Sequence, residues 1–183
     1  MVTMEARFGM AAALLTALLS LFYSVAQIAE WLGWLGSAGG PNSASTATGL
    51  VLLLLPSLLL GPAFVATMAA LLAAAPAGRK VFGIAALAFA GIYATLTGLV
   101  YFVQLTFVAP RLAAGRTEGI ELLLFRPYES FLFAIDLYGY SLMCLACLLA
   151  AAAVPDRMGA TAARALLLAN GLLTPALALQ MQF

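Results

Sequence analysis

A chain of 183 residues that is 65% hydrophobic and only 8% charged cannot hide its apolar surface in a water-soluble fold, which carries roughly 45–50% apolar and about 25% charged residues. Its mean hydropathy of +1.09 moves its solvent from water to lipid, and one helical bundle without a separate soluble domain is expected. The eight basic and seven acidic residues are scattered in ones and twos, so no basic run can follow a phosphate backbone and nucleic acid is not an expected partner.

The chain has no histidine, which removes the usual ligand for haem and zinc and the commonest general base. No cofactor, metal site or catalytic residue is expected. Alanine is abundant and seven of the eight basic residues are arginine, the codon signature of a GC-rich genome, which points to a bacterial inner membrane.

A spanning helix needs about 20 mostly apolar residues, and five segments qualify. The first covers residues 8–35. Within it Thr16, Ser20, Tyr23, Gln27 and Glu30 follow a 4-3-4-3 spacing, one stripe of a helix that Trp34 extends. Ser24-Val25-Ala26 before Gln27 resembles a signal-peptidase site, whose cleavage would leave four spans. The apolar run continues past it to Leu35, and Glu5 offsets Arg7 ahead of it, so a retained first helix is expected.

Residues 36–48 are rich in Gly and hydroxyls and read as a solvent loop. The second span, 50–74, contains Pro56, Gly61 and Pro62. Such residues can open a transport site but more commonly serve packing in membrane helices. A tight turn carrying Arg79 and Lys80 leads to the third span, 81–108. It carries Tyr93, Thr97 and Gln104 beside a small-residue ridge of Ala86, Ala90, Ala94 and Gly98, which lets backbones approach.

The connection 110–127 includes 120–125, too short to span but apolar enough to lie in the interface. In the fourth span, 128–154, Glu129, Asp136, Tyr140, Met143 and Cys147 share a face. Cys144 and Cys147 form a C-x-x-C inside an apolar run, where they lack the accessible thiolate that redox chemistry needs and read as packing residues. A short turn at 155–159 leads to the fifth span, 161–183, with Asn170 and Thr174 one turn apart. Either that helix ends at the outer surface or the natural chain continues.

Positive charge sets orientation. Arg7, Arg79, Lys80, Arg157 and Arg164 fall on the N-terminal side and Arg111, Arg116 and Arg126 on the other, so the N-terminus reads as cytoplasmic and the C-terminus as outside. Trp31 and Trp34 then lie at the outer interface. At 1.5 Å per residue Asp136 is roughly 12 Å in from Tyr128, in the outer half with Glu30, Gln27, Gln104 and Tyr140, flanked by Arg111 and Arg126.

Three function classes follow. The poverty of motifs, the small loops and the odd number of spans fit a non-catalytic accessory or assembly subunit acting by helix packing, with membrane lipid and other membrane subunits as partners. Intramembrane ionisable groups are also functional candidates by default. The alternative is therefore a small carrier whose outer cavity uses a protonatable Asp136 with Gln27, Glu30, Gln104 and Tyr140. A lipid-modifying enzyme ranks third because no motif supplies its acid and base.

Overall fold

The computed structural model describes residues 3–40, 43–157 and 159–179, and all regular structure among them is helical. Helix α1, Met4–Trp31, starts at Thr3, whose hydroxyl accepts the Ala6 N–H at 3.3 Å, with Glu5 in the positive first turn. It begins four residues before the apolar run and ends four residues short of Leu35. Gly33 takes φ +74°, a left-handed conformation that stops a helix. Trp34, expected on the polar stripe, therefore leaves it and is 76% exposed.

Thr46 caps α2, Ala47–Ala74, by accepting the Gly49 N–H, and its own hydroxyl donates to the Leu35 carbonyl at 2.8 Å. Pro56 and Pro62 lie inside α2 without ending it. A 3-10 turn leads into α3, Lys80–Val103. A π turn, Gln104–Val108, then continues it into α4, Ala109–Ala113. The third span thus runs Ala77–Ala113, 37 residues, past the expected end at 108. Pro110 does not stop it because it follows directly on the π turn, where the α-helical ladder is already shifted.

The apolar segment 120–125 forms a 3-10 turn, Glu121–Leu123, with Ile120 and Leu124 buried against Leu50 and Val108 at the end of the bundle. Ser130 caps α5, Phe131–Ala153, accepting the Phe133 N–H at 3.2 Å. Glu129 consequently precedes the helix and is exposed, off the face it was expected to share with Asp136. The fifth span consists of α6, Ala160–Gly171, and α7, Thr174–Leu179. Thr174 donates its hydroxyl to the Gly171 carbonyl at 2.7 Å across the break between them. Residues 180–183 of the expected span lie outside the described residues.

The helices pack in a row: α1 on α2, α2 on α3, α3 on α5, and α5 on α6 and α7. Each junction closes on a small residue. A Cβ on Gly9 would meet Ala70, one on Gly61 would meet Ala94, one on Gly139 would meet Thr97, and one on Gly171 would meet Leu148. The alanine ridge of α3 is used at Ala86 and Ala90, which are fully buried, whereas Gly98 faces open space. The outward faces of α1, α3 and α6 carry exposed leucines such as Leu14, Leu18, Leu99 and Leu166. That pattern is stable only in hydrocarbon, and five helices are long and apolar enough to cross it. The protein is an all-α integral membrane bundle.

At the end of the bundle where α2 meets α3 and α5 meets α6, Asp156 bridges Arg79 and Arg164, and both guanidinium groups also donate to the Val154 carbonyl. Arg164, then Arg79, holds the Asp156 carboxyl below its ordinary range. A depressed carboxylate favours the folded clasp above its unfolded value and loses that contribution as pH falls through the folded one. The two turns should therefore stay joined at neutral pH and part only in acid, below about pH 4. Proteolysis within 75–80 that rises in acid in the wild type, and is already high at pH 7 in Asp156→Asn, would show it. Equal cleavage of both proteins at pH 7 would deny the clasp any role.

Candidate ligand cavity

Where residues 36–40, 43–46 and 114–130 cover the bundle, a cavity of about 390 Å³ opens, within the usual range for small-molecule sites. Helix α1 contributes Tyr23, Gln27, Glu30 and Trp31, and α2 contributes Leu50, Leu53 and Leu54. Tyr101 comes from α3, and Phe133, Asp136, Leu137 and Tyr140 come from α5. The connections supply Ser43, Ser45, Phe125 and Tyr128 among others, and α7 reaches in with Leu177.

The α1 stripe serves two purposes along its length. Deep in the bundle Thr16 shares a hydrogen bond with Thr67 of α2 at 3.0 Å, an ordinary interhelical tie. Nearer the loops Tyr23 donates to Gln27 Oε1 at 3.2 Å, and the stripe becomes cavity wall. Glu30 is 2% exposed, and among the described residues neither carboxylate oxygen has a hydrogen-bond partner. It fits there because position 49 is glycine: a Cβ would lie 2.8 Å from Glu30 Oε2. The carboxylate thus rests against the first turn of α2, whose partial positive charge favours it. The Gly49 N–H itself is occupied by Thr46.

Asp136 lies about 8 Å along α5 from Phe131 at 1.5 Å per residue and is 7% exposed. It sits in hydrogen-bonding reach of the Tyr101 side chain, yet its Oδ1 has no partner among the described residues. Tyr101 donates to the Tyr140 hydroxyl at 3.0 Å. The Tyr140 ring tilts on Tyr93 at 5.6 Å, and Phe64 meets Tyr93 edge-on at 5.7 Å. A second aromatic group, Phe125 and Tyr128 on Phe133 at 5.4 and 5.3 Å, frames the loop side. No lysine or arginine is among the lining residues.

Of the residues singled out by sequence, Gln27, Glu30, Asp136 and Tyr140 meet at this cavity and Gln104 does not. Gln104 is fully buried, and its Nε2 donates to the Leu123 carbonyl at 2.6 Å, tying the connection 114–130 to the bundle. Arg111 and Arg126, expected to flank the site, do not line it. Arg111 instead lies over the Phe107 ring, 3.5 Å from its centroid. Tyr101 was missed although it continues the Tyr93, Thr97, Gln104 phase at a spacing of 4-4-3. Phe133, three residues before Asp136 on the same face of α5, was missed too, whereas Phe125 and Tyr128 had no such signal, because a connection has no period to read.

Chemically the site can hold charge and aromatic or apolar surface. Among the described residues no three His, Cys, Asp or Glu side chains converge to grip a metal ion. Cys144 and Cys147 are buried, free, and not among the lining residues. Compared with known families, with curated proteins and with solved structures, the chain matches none.

Proposed function

We propose that this protein binds a small molecule inside the membrane, as a carrier or receptor would, in the cavity between α1, α2, α3 and α5. One observation carries the reading: Glu30 and Asp136 present to the same cavity buried carboxyl oxygens that have no partner among the described residues. A buried polar group left unpaired costs roughly 1–3 kcal/mol. Two such groups at one place are retained more readily for a ligand than for packing, since interhelical ties pair their polar atoms as Thr16 and Thr67 do.

Native mass spectrometry of the protein released from mild detergent tests this. The wild type should carry a small molecule that Leu54→Trp, which fills the cavity, excludes. A wild type that arrives empty and gains no thermal stability from a panel of small molecules would overturn the reading.

A second reading, an accessory subunit working through helix packing, draws on α1, which packs against α2 and leaves its other faces open. It gains ground if the cavity proves empty and a stoichiometric membrane partner shields Leu14 and Leu18 from a lipid-phase label.

The preferred setting is a bacterial inner membrane with the N-terminus cytoplasmic. Five basic residues against three favour that orientation, and the Arg79–Asp156–Arg164 clasp gathers part of the larger group at one end. In a background of Cys144→Ser and Cys147→Ala, an impermeant maleimide applied outside should label Ser45→Cys and spare Gly78→Cys. The opposite pattern would invert the assignment.

A further inference from the structure

We infer that the ligand is an organic cation, a protonated amine or quaternary ammonium with an apolar body, seated between Glu30 and Asp136. This rests on the reading that the cavity takes a small molecule and adds its chemical class.

Charge comes first. Both carboxyl groups are more than nine-tenths buried, each has an oxygen without a partner, and they stand on α1 and α5, which are not neighbours in the row. Among the described residues no basic side chain lines the cavity to neutralise them, and a buried carboxyl group is either paired with positive charge or neutral. A cationic occupant would pair both groups at once. An anion would meet two carboxyl groups and no donor cation.

The walls then separate an organic cation from a metal ion. Tyr23, Trp31, Tyr101 and Tyr140 present rings, and aromatic faces attract ammonium groups, most strongly where water is excluded. Leucines of α2 complete an apolar wall. A calcium ion takes about six to eight oxygen ligands and magnesium about six, whereas the lining is chiefly aromatic and aliphatic. An ammonium group needs only one or two carboxylates and surrounding rings, and its apolar substituents fill the rest of the space.

The test uses the full-length protein in detergent with Trp34→Phe, so that Trp31 in the cavity wall is the sole reporter. Three probes share one shape: benzyltrimethylammonium, its neutral isostere neopentylbenzene, and the anion benzylsulfonate. The expected order is cation first, at least about tenfold tighter than the neutral isostere, with no response to the anion. Glu30→Gln and Asp136→Asn should each narrow that gap, and gel filtration reports whether each variant remains folded. The probe series on unmodified carboxyl groups stands even if a variant fails to fold.

Neopentylbenzene binding as tightly as the cation would overturn the assigned charge while leaving a ligand cavity standing. Calcium or sodium changing Trp31 fluorescence, with benzyltrimethylammonium inert, would overturn the organic class. Failure of all three probes would sink the cation assignment, and the native mass spectra decide separately whether the cavity holds a ligand.

Discussion

Asp136→Leu is expected to raise thermal stability in detergent while abolishing ligand binding. Leucine repeats the branching of aspartate, so the shape at α5 is nearly kept. The substitution removes a buried carboxyl whose Oδ1 has no partner among the described residues. Tyr101, which faces Asp136, retains its hydrogen bond to Tyr140 at 3.0 Å. Relief of an unpaired buried polar group is worth roughly 1–3 kcal/mol, and gains of stability at the expense of function are usual where a site is kept polar for its task. If Asp136 served only to tie helices together, the sign would reverse. A lowered midpoint of unfolding for Asp136→Leu, with ligand binding intact, would therefore return the residue to a packing role.

Gly139→Ala should destabilise the bundle strongly, and Thr97→Ser should reverse much of the loss. Gly139 is where α5 crosses α3: an added Cβ would lie 2.7 Å from Thr97 Cγ2, too close for any real contact. Thr97 is buried, and its hydroxyl donates to the Tyr93 carbonyl at 3.0 Å, so its rotamer is not free to turn away. Overpacking of a tight core costs about 1–3 kcal/mol. Serine keeps the hydroxyl and deletes the clashing methyl, which makes the pair a double-mutant cycle with a favourable coupling term. Additive losses in the double variant, measured by thermal unfolding, would show that the two helices do not meet at these residues.

Most of the architecture could be read in advance, because apolar runs of spanning length leave a chain few alternatives. Thr16 to Glu30 announced a polar stripe by its 4-3 spacing, and Asp136 with Tyr140 announced a second. Four of the five residues picked out this way face one cavity. What escaped has specific causes. Hydropathy sees side chains, whereas helix ends are set by backbone partners. The Thr3 cap, the left-handed Gly33 and the Ser130 cap thus moved α1 and α5 by several residues and left Glu129 and Trp34 outside them. Gln104 has the right phase for the cavity, but its amide is claimed by Leu123, nineteen positions away. No local period reveals a contact of that range. Gly49 gave no signal either, because its importance lies in the space it leaves for Glu30.

The π turn at Gln104–Val108 is closed by the Ala109 N–H donating to the Gln104 carbonyl, which gives the third span one residue more than an unbroken α-helix requires. It resets the numbering of faces, so the buried series Thr97, Tyr101, Gln104 cannot be extrapolated at the same spacing into α4. Removing one residue there would restore a uniform ladder and leave α4 facing as it does, because the wider turn already takes up the roughly 100° that one residue adds to an α-helix. The extra residue thus shifts the period of the sequence without turning the helix: α3 lies along α5 for most of its length, and Gln104 at the start of the wider turn holds the overlying connection.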